Sequence, residues 1–217
     1  GRPLKLIRPG DDEQNPTLQF TYHDSEQPYW IEAKQRIQEA QYAVQRRFYN
    51  GLGQLIQTQS LDGGQAYTVN RSYNQHGELI AQEIPFSYPD PEGYLAPSGA
   101  WAPTLTTFAY DPLGRQVLQT APDGSTRQTI YGDALVNGLS VVRSVDEKGN
   151  SQLALADGLG RTLQVIPPKQ NGNAIHPTVF YGYDVLDRLV QVERGGAVTN
   201  LQYDLGGRKT RLYDPDM

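Results

Sequence analysis

The sequence predicts an all-β protein, a meander of antiparallel hairpins in a long sheet. Two observations carry this reading. A turn phrase recurs along the chain, and the segments between its copies are strand-like runs of about six to eight residues rich in Tyr, Val, Leu, Ile and Thr. The fullest copy is Tyr110-Asp111-Pro112-Leu113-Gly114-Arg115. Asp opens a type I turn by hydrogen-bonding its own backbone, Pro presets φ, and Gly supplies the positive φ that closes a short hairpin loop with a bulge.

The other copies start at Tyr49, Tyr73, Ala156, Tyr183 and Tyr203, at spacings of 24, 37, 46, 27 and 20 residues counted from Tyr49, and a further one begins at Tyr213. Their second residue is Asn50, Asn74, Asp157, Asp184 or Asp204. Their fifth is Gly53, Gly77, Gly160, Asp187 or Gly207, Asp being a residue that tolerates the left-handed region. Arg115, Arg161, Arg188 and Arg208 close four of the six. In this reading Tyr49, Tyr73, Tyr110, Tyr183 and Tyr203 pack in a buried layer. Asp111, Asp157, Asp184 and Asp204 hold the turns, with Gly53, Gly77, Gly114 and Gly160 closing them.

From the N-terminus, residues 1–29 read as the end of a preceding repeat, with Thr17 to Tyr22 alternating as a strand. Asp11, Asp12 and Glu13 read as a solvated charge cluster. Hairpins follow over 30–82. Between Trp30 and Phe48 two readings compete: composition and spacing suit an amphipathic helix, whereas two alternating faces running into the Asn50 turn suit a hairpin, which is favoured. Residues 83–107 form an insertion too rich in proline for a central strand, hence a long loop or flap. Its Tyr88, Tyr94 and Trp101 are candidates for ligand binding, as a platform for a sugar ring or a partner surface, or else for covering the open face of the sheet. Hairpins resume over 108–217, ending mid-repeat, so the chain reads as an excised segment. Asp62-Gly63-Gly64, Asp123-Gly124, Asp146-Glu147-Lys148-Gly149 and Gly195-Gly196 make the alternate turns. Ile56, Ile80, Val117, Leu163 and Val190 fall two residues after the sixth turn position and are expected to line the buried face with the tyrosines, leaving Gln, Thr, Arg and Glu outside.

Composition narrows the function. The net charge is −5 with no basic block, which argues against nucleic acid as a partner. No cysteine is present, removing disulfides, thiolate metal sites and cysteine nucleophiles. No run of about 18 apolar residues could span a membrane, and no signal peptide opens the chain. His23, His76 and His176 read as isolated loop residues, and each carboxylate is accounted for by a turn, so no catalytic, metal or cofactor site is expected.

The Tyr-Asp-x-x-Gly-Arg phrase, its variant from Tyr49 to Thr58 and the closing Asp214-Pro215-Asp216-Met217 resemble the Rhs, or YD-repeat, family over 30–217. The resemblance implies a large secreted or cell-surface polypeptide whose strip of strands winds into a hollow shell, as in polymorphic toxins, insecticidal toxin-complex cocoons and teneurins. It implies a non-enzymatic wall segment whose partners are the rest of the shell and an enclosed C-terminal effector. The alternative is a carbohydrate- or protein-binding adhesion module at the cell surface, its ligand a glycan or a surface protein. Exposed strand edges further suggest self-association.

Overall fold

The computed structural model describes residues 1–38, 41–96, 104–132, 138–170, 173–174 and 176–215. Its regular structure is β: the described residues form no α-helix, and none is long and apolar enough to cross a membrane. The strand pairings among the described residues are antiparallel. The chain divides into two compact units, Gly1–Ala109 with Thr120–Gly124, and Tyr110–Gln119 with Ser125–Met217.

In the first unit, β1 (Lys5–Leu6) pairs with β2 (Leu18–His23), and the meander continues through β3 (Tyr29–Gln38), β4 (Gln41–Tyr49), β5 (Leu55–Asp62) and β6 (Gln65–Tyr73). The hairpin alternative at 30–48 is therefore the real one. A helix there would leave Trp30 and Phe48 on one stripe, whereas the hairpin pairs them face to face across two strands. β6 is then met twice, its last residues by β7 (Leu79–Glu83) and its first by β8 (Phe86–Pro89). The proline-rich insertion is thus partly strand. Pro89 ends β8, where a missing ladder donor costs least. The chain returns as β9 (Leu105–Tyr110) to pair with β7.

The core of this unit runs along one face of the sheet. Trp30, Phe48, Gln57 and Asn70 are successive cross-strand partners, and Arg46, Gln59 and Thr68 form the neighbouring row. All seven are buried, together with Ala66 and Glu83. This corrects the expectation of an apolar buried layer with the amides outside: Gln57 and Gln59 are the most enclosed residues of β5, Ile56 is only half-buried, and Ile80 is exposed. The repeat tyrosines are likewise half-buried, not fully enclosed. The reverse face, with Leu18, Phe20, Tyr22, Ile31, Ala33 and Tyr49, is a shallow trough of about 550 Å³.

In the second unit, β10 (Gln116–Thr120) leads to β11 (Thr126–Tyr131), β12 (Ser140–Val145), β13 (Ser151–Ala156) and β14 (Thr162–Ile166). A two-strand ribbon, β15 (Lys169–Gln170) and β16 (Asn173–Ala174), interrupts the order before β17 (Val179–Tyr183), β18 (Leu189–Arg194), β19 (Ala197–Tyr203) and β20 (Lys209–Tyr213). From β11 on, each strand of the meander pairs with the next, β14 joining β17 past the ribbon. The only buried apolar side chains among the described residues of this unit, Val141 and Leu155, face each other across β12 and β13.

Phe48 is wholly enclosed between Trp30 and Tyr94, with ring centroids 5.4 and 5.7 Å away. Phe48→Ala is expected to cost about 3–5 kcal/mol, measured as a fall in the denaturant midpoint.

Candidate functional site

The repeated element is a hairpin loop built around one side-chain oxygen. In the turn at Asp184, Oδ1 accepts the backbone N–H of Leu186 at 2.9 Å and of Arg188 at 3.0 Å. The backbone closes it twice, Asp184 N–H donating to the Arg188 carbonyl and Asp187 N–H to the Asp184 carbonyl. The same pattern recurs at Asn50, Asn74, Asp111 and Asp157. The residue before it, Tyr49, Tyr73, Ala156, Tyr183 or Tyr203, sits at a register shift, the bulge that a type I turn followed by a left-handed residue produces. That left-handed residue is Gly in five turns and Asp187, at φ 62°, in the sixth.

The loop Asp146-Glu147-Lys148-Gly149-Asn150 has identical chemistry. Asp146 Oδ1 accepts from Lys148 and Asn150, and the backbone pair is the same. It is a further copy of the repeat turn with Val145 in place of Tyr, not a different kind of alternate turn. By contrast Gly63-Gly64 and Gly195-Gly196, both with positive φ, make two-residue reversals between Asp62 and Gln65 and between Arg194 and Ala197.

The second oxygen selects the sixth residue of the phrase. Where the second residue is Asp, its Oδ2 accepts from a donor: Arg115 Nε at 2.7 Å, Arg161 Nε at 2.8 Å, Arg188 Nε at 2.7 Å, and Asn150 Nδ2 at 2.9 Å. Where it is Asn, the amide Nδ2 donates, and the partner is an acceptor: Gln54 Oε1 at 2.7 Å and Glu78 Oε2 at 2.6 Å. The rule is legible in the sequence once the pairing is known: acid with donor, amide with acceptor.

Successive turns are then tied together. Arg161 lies over the Tyr183 ring at 5.4 Å and donates to Asp187; Arg188 lies over the Tyr203 ring at 5.0 Å and donates to the Asp204 carbonyl. Arg115 lies 4.0 Å from the Tyr131 ring. The tyrosine hydroxyls point back: Tyr73, Tyr183 and Tyr203 donate to the carbonyls of Leu55, Thr162 and Leu189, each the residue just after the preceding turn. Arg208, over which no described ring lies, is 86% exposed and stands 3.8 Å from Asp204, against 26% for Arg188. Where a ring lies over the guanidinium the ion pair is short, 2.6 Å at Arg115 and Arg161 and 2.7 Å at Arg188.

A second constellation lies over the core of the first unit. From Asp90 to Leu95 the chain crosses the buried face as a strap. Gln57 holds it as a second backbone would: its Nε2 donates to the Leu95 carbonyl at 2.7 Å and its Oε1 accepts the Leu95 N–H at 3.1 Å. Gln59 Nε2 donates to the Gly93 carbonyl and to Gln57 Oε1, each at 2.8 Å, while Asn70 links Gln57 to Glu83. At the strap's start, Asp90 pairs with Arg46, which also pairs with Glu32 and lies over Trp30. Burial pushes the Asp90 and Glu32 carboxyls up, but Arg46, joined by the Glu92 backbone N–H at Asp90 and by Lys34 at Glu32, holds both below their ordinary values.

Of the candidate binding aromatics, Tyr94 packs on Phe48 beneath the strap, Tyr88 is exposed on β8, and Trp101 lies outside the described residues. His23 is not a loop residue: it ends β2, stacks on Trp30 at 3.5 Å and contacts Glu26, whose other oxygen takes the Trp30 indole N–H. Asp11 is not solvated either, being paired with Arg36 and Thr17. No group of three metal-ligating side chains occurs among the described residues.

No family model and no curated protein matches the sequence. Solved structures do match in fold. The crystal structure of TcdB2-TccC3-Cdc42 aligns over 87% of this chain and 11% of its own, at 16% identity and a TM-score of 0.62. TcdB2-TccC3 without its hypervariable C-terminal region aligns over 86% of this chain and 12% of its own, at 15% identity and 0.59. A Photorhabdus luminescens Tc holotoxin pore gives 16% identity, 86% and 12% coverage, and 0.59. The chain thus spans about a ninth of those chains and shares their fold, in accord with the Rhs/YD-repeat resemblance of its sequence.

Two outcomes follow from this chemistry. The carboxyls of Asp111 and Asp157 are held below the ordinary 3.8 by their arginine side chains first and by backbone N–H groups; for Asp184 the backbone N–H of Arg188 comes first. A lowered folded value means that the stabilisation is complete above the ordinary value and is lost as pH falls from 3.8 through the folded values. Acid unfolding followed by circular dichroism is expected to show this loss, and D111N/D157N/D184N to flatten it. Gln57→Leu fills the same space but orphans both Leu95 backbone groups. It is expected to cost about 1–3 kcal/mol per orphaned group and to speed amide exchange at Leu95 ahead of β4.

Proposed function

We propose that this chain is a length of wall in an Rhs/YD-repeat shell: a non-enzymatic strip that, within a longer secreted polypeptide, helps enclose a C-terminal effector or toxin. The observation that carries the reading is the agreement between the repeat turn and the fold. A stitched hairpin array aligns over most of its length with TcdB2-TccC3 structures and with a Tc holotoxin pore. The chemistry supports a structural role. The aspartates that could serve an acid–base pair spend their oxygens on turn N–H groups and arginines, a use that leaves little for substrate. The partners proposed are the adjoining repeats of the parent and its enclosed domain. A glycan-binding platform of Tyr88, Tyr94 and Trp101 loses support because Tyr94 is engaged with Phe48.

The test is limited proteolysis of the full-length parent, native and denatured, with mass spectrometry of the region beyond this segment. Protection of that region only while the repeats are folded is the expected result. Immediate cleavage in the native protein would remove the basis for enclosure.

A further inference from the structure

The amide pair that grips the strap occurs a second time. Gln57 stands three residues after Gln54, the sixth residue of its turn, and its cross-strand partner Asn70 stands three before Tyr73. In the second unit Gln191 stands three residues after Arg188, and its partner Asn200 stands three before Tyr203. A register shift precedes each turn, between Phe48 and Tyr49 and between Gly182 and Tyr183, so both pairs fall on the same face relative to their turns. The rows correspond member by member: Phe48, Gln57 and Asn70 in one, Gly182, Gln191 and Asn200 in the other.

What surrounds them differs. Gln57 and Asn70 are buried, and both polar atoms of the Gln57 amide engage the Leu95 backbone. Gln191 and Asn200 are exposed, and their side chains make no hydrogen bond among the described residues. Where Phe48 carries Tyr94 of the strap, Gly182 has no side chain, and only Gln191 stands within 4 Å of that vacant position. The neighbouring row changes its charge. Arg46 and Gln59, which take Asp90 and the Gly93 carbonyl, give way to Phe180, 45% exposed, and its partner Glu193, which has no cationic partner among the described residues.

We propose that the face of β17 and β18 bearing Gln191 is a docking surface for an extended polypeptide segment from outside this chain, held as the first unit holds its own strap. Gln191 takes the backbone N–H and C=O of one residue of that segment, as Gln57 takes those of Leu95. The Phe180–Glu193 pair takes a Lys or Arg where the strap carries Asp90, since a ring beside a carboxylate attracts a cation. Asp90 lies five residues before Leu95, so the cation is expected five residues before the one that Gln191 reads. The strap itself argues for this occupant: in this protein a glutamine at that place in the hairpin is seen gripping a peptide backbone. Contacts to backbone groups tolerate most side chains, so the surface selects an extended conformation and one positive charge. The inference does not depend on enclosure in the parent.

The probe is a synthetic peptide of residues 89–96 carrying D90K, used beside the unaltered peptide. Titrated against the isotope-labelled chain and followed by NMR, the D90K peptide is expected to shift the amides of β17 and β18 and to bind several-fold more tightly than the unaltered one. Gln191→Leu is expected to weaken that binding about tenfold. Glu193→Gln is expected to erase the preference for Lys over Asp, with circular dichroism unchanged in both variants. No shift on β17 and β18 at millimolar peptide, binding indifferent to Gln191→Leu, or a Lys preference that survives Glu193→Gln overturns the proposal. Shifts confined to β4 and β5, where the peptide replaces the strap, also overturn it. So does a maltooligosaccharide that shifts the adjoining recess of about 280 Å³ at Asn200, Gln202, Arg211 and Tyr213 while the peptide does not. The protease test of the parent is unaffected by these results, so the wall reading stands or falls separately.

Discussion

One side-chain oxygen accepting two backbone N–H groups is the contact on which the strip depends. A hairpin reversal exposes amides that neither strand ladder can take, and an unpaired amide costs about as much as a lost hydrogen bond. Oδ1 of the second turn residue takes both, at about 3 Å, in copy after copy. Before the loops at Asn50, Asn74, Asp157, Asp184 and Asp204 comes a register shift, and with it the face on which each strand's side chains fall; the Asp146 loop makes the same contacts with no shift. Strand register is therefore set at the turns.

The arginine and tyrosine of the phrase extend that local order from one hairpin to the next. An exposed ion pair contributes little alone, yet Arg161 and Arg188 each close their own turn, lie over the following tyrosine and reach the turn beyond it. The tyrosine hydroxyl returns the connection to the backbone. This is how the second unit persists as a strip with so little fully buried apolar surface. The first unit uses a different device. Its aromatic row of Trp30 and Phe48 passes into the amides of Gln57 and Asn70, and a strap supplies backbone hydrogen-bond partners to Gln57 and Gln59.

The parts of this architecture that act within five or six residues are visible in the sequence. Asp at the second place, Gly or Asp187 at the fifth and the two-glycine reversals each announce a backbone conformation that few residue types satisfy. The all-β class follows from their recurrence. What acts at a distance is not visible. Nothing about Gln57 or Gln59 signals burial, because the strap that covers them is more than thirty residues downstream in sequence. His23 reads as a loop residue because its stacking partner Trp30 lies across a reversal, and Asp11 reads as solvated because Arg36 lies two strands on. The Asp146 loop reads as an alternate turn and not as a repeat copy for the opposite reason: it lacks the tyrosine that opens most copies, though its turn chemistry is intact. The amide–acceptor swap at Asn50 and Asn74 is present in the letters and is found only by asking which group on the sixth residue can answer the second.

Because the described strand ladders of the second unit from β11 on join each strand to its neighbours in the meander, the strip has a preferred direction of mechanical failure. A load applied to the end of β20 acts on the β19–β20 ladder alone, whose bonds open one after another like a zip, instead of shearing many at once. The next hairpin takes the load through the β18–β19 ladder, to which Tyr203 on the Leu189 carbonyl and Arg188 on the Asp204 carbonyl add two side-chain contacts. Those two contacts make each repeat a ratchet tooth: weak enough to yield singly, and placed so that yielding proceeds in steps of one hairpin.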